Sequence, residues 1–176
     1  MSEQELEQLR YPVGRFQAPT EYRLEDLHRD IDRIERMPSR LKEVISGFDE
    51  ERFNRAYRPG GWTIRQVIHH LADSHLNAWI RIKWALTETE PLIKAYDEKA
   101  WALTPDNRLA PHISVSLLEA HHHRWAAMLR ALTEQEEGIL DKAFIHPSTG
   151  GRITILRMVQ LYAWHGEHHI GHCKLV

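Results

Sequence analysis

Cysteine is almost missing from this chain: Cys173 is the only one in 176 residues. An internal disulfide and a thiolate zinc cluster are therefore excluded, and nothing points to an oxidising compartment. Long hydrophobic runs are missing as well. No stretch approaches the roughly 18 apolar residues of a membrane span, and the charged segment Met1 to Arg10 does not read as a signal peptide. Charge blocks of one sign are absent and the formal net charge is −2. Without a basic stripe, nucleic acid is not an expected partner, and a disordered charged tail is not expected either. With 42% hydrophobic and 27% charged residues, the chain reads as one soluble, cytoplasmic domain over residues 1–176, long enough to bury a sizeable core. What it has in abundance is histidine, 13 in all.

The chain shows no internal repeat and no linker. Residues 1–19 are expected to form an extended N-terminal arm, punctuated by Pro12, Gly14 and Pro19. Thr20 can cap a first helix with Leu24, Leu27, Ile31, Ile34 and Met37 on one face, kinked or restarted at Pro38. After the break Arg58-Pro-Gly-Gly-Trp62, Thr63 caps a second helix to about Thr87, with Ile64, Val67, Ile68, Leu71, Ala78, Trp79, Ile82 and Leu86 as its core positions. Residues 90–111 form a long connection with one short helix near Tyr96 to Leu103, and a loop of that length is often functional. A third helix covers about Ser114 to Leu132, followed by a capping box between Thr133 and Glu136. The segment His146 to Arg152 reads as a turn between two short extended pieces. Thr154 then caps a fourth long helix. Four long helices without strong strands imply an all-α four-helix bundle, and the long connection between helices 2 and 3 frees it from a simple up-down-up-down order.

On the fourth helix, His165 and His169 are four residues apart and so lie one above the other at the edge of the apolar stripe. That spacing lets two imidazoles share one metal ion. His168 and His172 repeat it one step further toward solvent. A mononuclear catalytic site usually takes three protein ligands and keeps an open position. On the second helix, His69 points away from the apolar stripe and is expected to be exposed, whereas periodicity leaves His70 and His75 both open as the third ligand. His121 to His123 on the third helix are read as structural or exposed. Two familiar patterns do not fit. A metalloprotease H-E-x-x-H needs a glutamate where Gly166 stands, and Glu167 projects away from His165. A di-iron bundle could use Glu25 with His28 and Glu119 with His122, but the other two helices bring histidines where that site needs carboxylates.

At these residues the chain resembles a known family. YPVG near the start, YRPGGWTIRQVIHHLADSH on the second helix, YDEKAW in the long connection and LYAWHGEHHIGH on the fourth helix are similar to the DinB-like superfamily, and within it to the YfiT group of metal-dependent hydrolases. The resemblance runs from Tyr11 to His172 and implies a metal site on His70, His165 and His169, thereby choosing His70 over His75. It also implies a homodimer, and a last helix slightly longer than one ending at Val176.

The expected activity is that of a metal-dependent hydrolase acting on a small-molecule substrate. One divalent ion per subunit, zinc first and nickel or iron as alternatives, would be held by three histidines with a position left for water or substrate. The resemblance also implies a runner-up, an S-transferase using a low-molecular-weight thiol such as bacillithiol, and a non-catalytic metal-binding stress module is a third reading. No general base is assigned. Asp73, one turn after His70, is a candidate to orient an imidazole; Asp97 and Glu98 sit in a segment that could cover the site, and Trp62, Trp101 and Trp164 are candidates for its walls.

Overall fold

The computed structural model describes residues 1–135, 138–148 and 150–176. Its elements are α1 (Glu3–Arg10), α2 (Leu24–Val44), α3 (Glu50–Asn54), α4 (Ile64–Thr87), α5 (Glu98–Trp101), α6 (His112–Thr133), the strands β1 (Ala143–His146) and β2 (Gly151–Thr154), and α7 (Ile155–Cys173). Two turns of 3-10 helix, Pro105–Arg108 and Ile139–Asp141, interrupt the connections. Among the described residues, no helix is long and apolar enough to cross a membrane.

Three of the four long helices start where a side chain takes up a free amide, and α6 starts after Pro111 without a side-chain cap. Thr63 accepts from the Gln66 amide while the Gln66 side chain takes the Thr63 amide, a complete capping box. Thr154 likewise accepts from Arg157 N at the start of α7. At α2 the start is Arg23 rather than Thr20, and it is the Asp26 carboxylate that takes the Arg23 amide. α2 also runs through Pro38 without a break, so of the two expected outcomes, a kink or a restart, the restart does not occur.

The N-terminal segment departs from expectation: residues 1–19 are not all extended, because Glu3–Arg10 form α1. Ser2 and Glu5 make a reciprocal capping box there, and the charged, stripe-free sequence hid it. The arm beyond α1 lies along α7, with Phe16 against Trp164 and the Trp164 indole donating to Gly14 O. The extended pieces flanking His146–Arg152 are a two-stranded antiparallel hairpin pairing Ala143 with Thr154. Glu136, half of the capping box expected after α6, lies outside the described residues.

α2 packs against α6 and α7, and α4 packs against the same two helices. The helices α2 and α4 thus stand diagonally across the bundle, as do α6 and α7. Two of the three long connections therefore cross the bundle, unlike the neighbour-to-neighbour turns of an up-down-up-down fold.

Two apolar clusters fill the interior. One gathers Ile31, Ile34, Ala78, Ile82, Trp125, Leu129, Phe144, Val159 and Tyr162; the other Met37, Leu41, Val67, Ile68, Leu71, Leu118 and Ile170. Between them, at the same height on three helices, come His75 on α4, His122 on α6 and His165 on α7. At that level Gly166 lets α7 approach α2, since a Cβ there would stand 2.7 Å from Met37 Cγ. A polar layer therefore divides the core.

Candidate metal centre

His165 and His169 project from successive turns of α7, and α4 delivers His70 opposite them. Ring centroids are 4.5 Å apart for His165–His169, 5.0 Å for His70–His169 and 5.5 Å for His70–His165. One ring nitrogen from each of the three lies within 4.8 Å of the others, a span that one ion at imidazole bonding distance can bridge. His70 and His169 are buried, while His165 is partly open.

Burial pushes His70 down to about 4 and carries His165 and His169 well below the ordinary imidazole value, with neighbouring imidazoles adding to the effect. All three are neutral at pH 7, the state a metal ligand requires. His70 has no hydrogen-bond partner among the described residues. Converging lone pairs that meet no donor from the protein are the chemistry of a site for a divalent ion, so the donor set fits a zinc-class metal.

A second trio, His168, His169 and His172, meets the same distance criterion. It fits less well, because both nitrogens of His172 are engaged. Nε2 lies 3.2 Å from Arg10 O and Nδ1 lies 3.2 Å from His169 Nδ1, with the Tyr57 ring stacked at 3.9 Å. His168 stacks on Trp164 at 4.5 Å.

Both His168 and His172 are buried, against the expectation of a solvent-facing row. The reason is the N-terminal segment: Tyr11 packs on His168 and Pro12 on Gly171. His69 also departs from its expected exposure. The connection before α6 and the first turn of α6 cover it: Nδ1 meets Ser114 Oγ at 2.7 Å and Nε2 donates to Leu109 O at 3.1 Å. Periodicity within one helix cannot register a cover supplied by another segment. Of the α6 histidines, His121 and His122 are interior and His123 is exposed beside Glu35.

Asp73 does not reach the trio. It lies on the His69 side of α4; burial and the nearby Asp106 raise it to about 6, and no hydrogen bond joins its carboxylate to His70. Glu167 pairs with Arg40 and Glu119 with Lys42, which takes both away from any metal, and Glu25 and His28 are exposed.

The trio opens on a cavity of about 780 Å³. Trp62 and Trp164 line it as expected, but Trp101 instead packs on Tyr96 at 4.4 Å. From the connection come Glu98 and Lys99, whereas Asp97 is spent on capping α5. Sequence reasoning missed three cations in the wall, Arg10, Arg15 and Arg58, together with Tyr57. They come from segments with no periodicity to place them.

A helical bundle with a histidine trio at the mouth of a cavity defines a class of metal-site proteins, and comparison places the chain within it. Residues 33–173 match the model of the DinB superfamily, and the chain belongs to that family. YfiT from Bacillus subtilis is 42% identical over 165 residues, covering 93% of this chain and 91% of YfiT. Its solved structure, described as a probable metal-dependent hydrolase with an unusual four-helix bundle topology, superposes with a TM-score of 0.88 at 40% identity over 94% of this chain and 93% of that one. Relatives from Bacillus licheniformis (44% identical, covering 96% of this chain and 95% of the relative) and Oceanobacillus iheyensis (46%, 93% and 92%) bear a metal-dependent hydrolase name as well.

Proposed function

We propose that the chain is a metal-dependent hydrolase whose single divalent ion is held by His70, His165 and His169, with zinc first among the candidates. The observation that carries the reading is the convergence of three neutral, desolvated imidazoles on the wall of a substrate-sized cavity. When bound, a zinc-class ion supplies Lewis acidity, lowering the pKa of water to about 7 and polarising a carbonyl or phosphoryl oxygen.

The remaining work falls to the chain's own residues. Trp62 and Trp164 provide flat walls for the apolar part of a substrate. Arg15 is paired with Glu7, but Arg10, Arg58 and Lys99 still outnumber Glu98, the one carboxylate in the described lining. This excess of positive charge in a chain of net charge −2 favours a small substrate with an anionic group.

One feature favours transfer to a low-molecular-weight thiol as a second reading. Among the described residues Glu98 is the one carboxylate in the cavity lining, and no carboxylate is hydrogen-bonded to the trio as a general base would be. A thiol ionises near pH 8.5 rather than the 15.7 of water and needs less help to become a nucleophile.

The test is turnover by zinc-loaded protein of anionic ester, amide and thiol-transfer substrates, with and without added thiol. Thiol-independent hydrolysis supports the first reading and strict thiol dependence the second. Turnover that survives complete metal removal would sink both.

A further inference from the structure

Three of the buried histidines outside the trio, His75, His122 and His172, form two relays, each ending on a backbone carbonyl. In the first, His165 Nδ1 lies 3.1 Å from His75 Nε2, His75 Nδ1 lies 2.9 Å from His122 Nε2, and His122 Nδ1 meets Ile34 O. In the second, His169 Nδ1 meets His172 Nδ1 at 3.2 Å and His172 Nε2 meets Arg10 O at 3.2 Å. We propose that these relays are positioning devices: each carbonyl fixes the tautomers of the rings behind it, so that His165 and His169 both present a bare Nε2 to the metal.

The argument is donor and acceptor accounting. A carbonyl oxygen only accepts, so His122 Nδ1 carries a proton and donates it to Ile34 O. His75 and His122 are both fully buried, and neither has a carboxylate partner, so a charged ring there would lack a counter-ion. With His122 neutral, its Nε2 must accept, and His75 Nδ1 must donate. His75 Nε2 then accepts from His165 Nδ1–H, which leaves the lone pair of His165 on Nε2. The same steps from Arg10 O through His172 leave the lone pair of His169 on Nε2.

The helix itself prepares the first anchor. Pro38 has no N–H, so the carbonyl four residues earlier, that of Ile34, loses its helical partner. His122 supplies the missing donor. A proline in the middle of α2 thus exposes an acceptor at the level where the histidine layer crosses the bundle. Because the relay ends on a carbonyl, which takes up no proton, it orients a ligand and does not carry protons away. Imidazoles that bind metals commonly need their second nitrogen held in this way, usually by a carboxylate or a carbonyl directly. Here other histidines stand in between.

The inference rests on the ligand trio proposed above, and its test separates the two. Nitrogen-15 and carbon-13 NMR of histidine side chains in metal-free wild-type protein should show His165 and His169 as Nδ1–H tautomers; an Nε2–H tautomer at either would overturn the relay assigned to it. Zinc affinity by chelator competition is the second readout. His75→Leu removes donor and acceptor alike and should release the tautomer of His165, leave that of His169 fixed, and weaken zinc binding about 10–100-fold. His75→Gln, whose amide both donates and accepts, should restore most of the affinity. Wild-type affinity in His75→Leu would overturn the proposal. If that variant does not fold, the wild-type spectrum alone decides. Both tautomers as expected in a protein that takes up no zinc would overturn the metal reading and uphold the relays.

Discussion

In the first half of α7, Ile155, Met158, Val159, Tyr162 and Ala163 are buried in an apolar cluster with Trp125 and Phe144. In the second half, His168, His169 and His172 are buried to a similar degree, but among other rings and backbone carbonyls. The first half is stabilised by leaving water. The second loses hydration that its imidazoles would otherwise keep, and it recovers part of the loss through hydrogen bonds within the histidine layer. One helix thus carries an apolar segment that holds the bundle together and a second segment in which Ile170 and Cys173 do the same while the bundle holds the histidines in place. Burial alone does not distinguish them; what separates them is that the second half buries imidazole nitrogens, most of them partnered, while His168 Nδ1 has no partner among the described residues.

The largest effect should come from removing a ligand. His165→Ala or His169→Ala should weaken zinc binding by more than about a hundredfold, beyond the range seen when only a supporting hydrogen bond is lost. Helical circular dichroism of the metal-free variants should stay at the wild-type level, because the apolar clusters are untouched. Loss of helix in either variant would show the second half to be structural and break the contrast.

Acid should act next, and mainly through the histidines. Burial lowers His70 to about 4 and His122 to about 3, so between pH 6.5 and those values the unfolded chain binds protons that the folded chain refuses. Stability therefore falls as pH falls through this window and is level above it. At pH 5 the loss is about 2 kcal/mol for each of these two groups, taking 1.5 pH units at about 1.4 kcal/mol each. Urea unfolding of metal-free protein at pH 7.5, 6 and 5 measures it. A flat profile would mean that the interior rings are not held neutral.

Ile155→Ala tests the other half. Ile155 is fully buried in the first apolar cluster, and truncation should cost about 2–5 kcal/mol. The pH profile should shift downward without changing slope, and zinc affinity should stay within a few-fold of wild type. A tenfold loss of affinity would show that the two halves are mechanically coupled.

Much of this contrast could be read from the sequence, and what could not has physical reasons. The long helices declare themselves through apolar spacing and through Thr63 and Thr154 at their starts. His165 and His169 declare a shared face by being one turn apart. Spacing left His70 and His75 undecided, and the structure gives them different places: His70 faces the cavity while His75 joins the relay behind His165. Burial of His69, His168 and His172 was unreadable because the cover comes from the connection before α6 with the first turn of α6, and from Tyr11 and Pro12. The diagonal crossing of the bundle is likewise a property of the connections, not of any one helix. α1 was readable and missed. Ser2 followed three residues later by Glu5 is a capping-box pattern, obscured because the helix has no apolar stripe.

α1 supplies the smallest test, at the point where surface and histidine layer meet. It buries no residue, yet Arg10, its last residue, gives His172 the carbonyl on which the second relay ends. Eight residues are too few to hold a helix unaided; the Ser2 cap and the Arg15–Glu7 ion pair supply local support. Ser2→Ala should cost about 1 kcal/mol of helix stability, read as roughly fivefold faster amide exchange over Leu6–Arg10. The melting temperature of the whole protein should not move, since no core contact is lost. Zinc affinity should change by no more than about twofold, because an intact ligand set outweighs a loosened anchor. A fall of several degrees would make α1 part of the cooperative core. A tenfold loss of zinc affinity would instead show that the Arg10 carbonyl depends on α1 for its position, and that the second relay is only as firm as the surface helix that ends it.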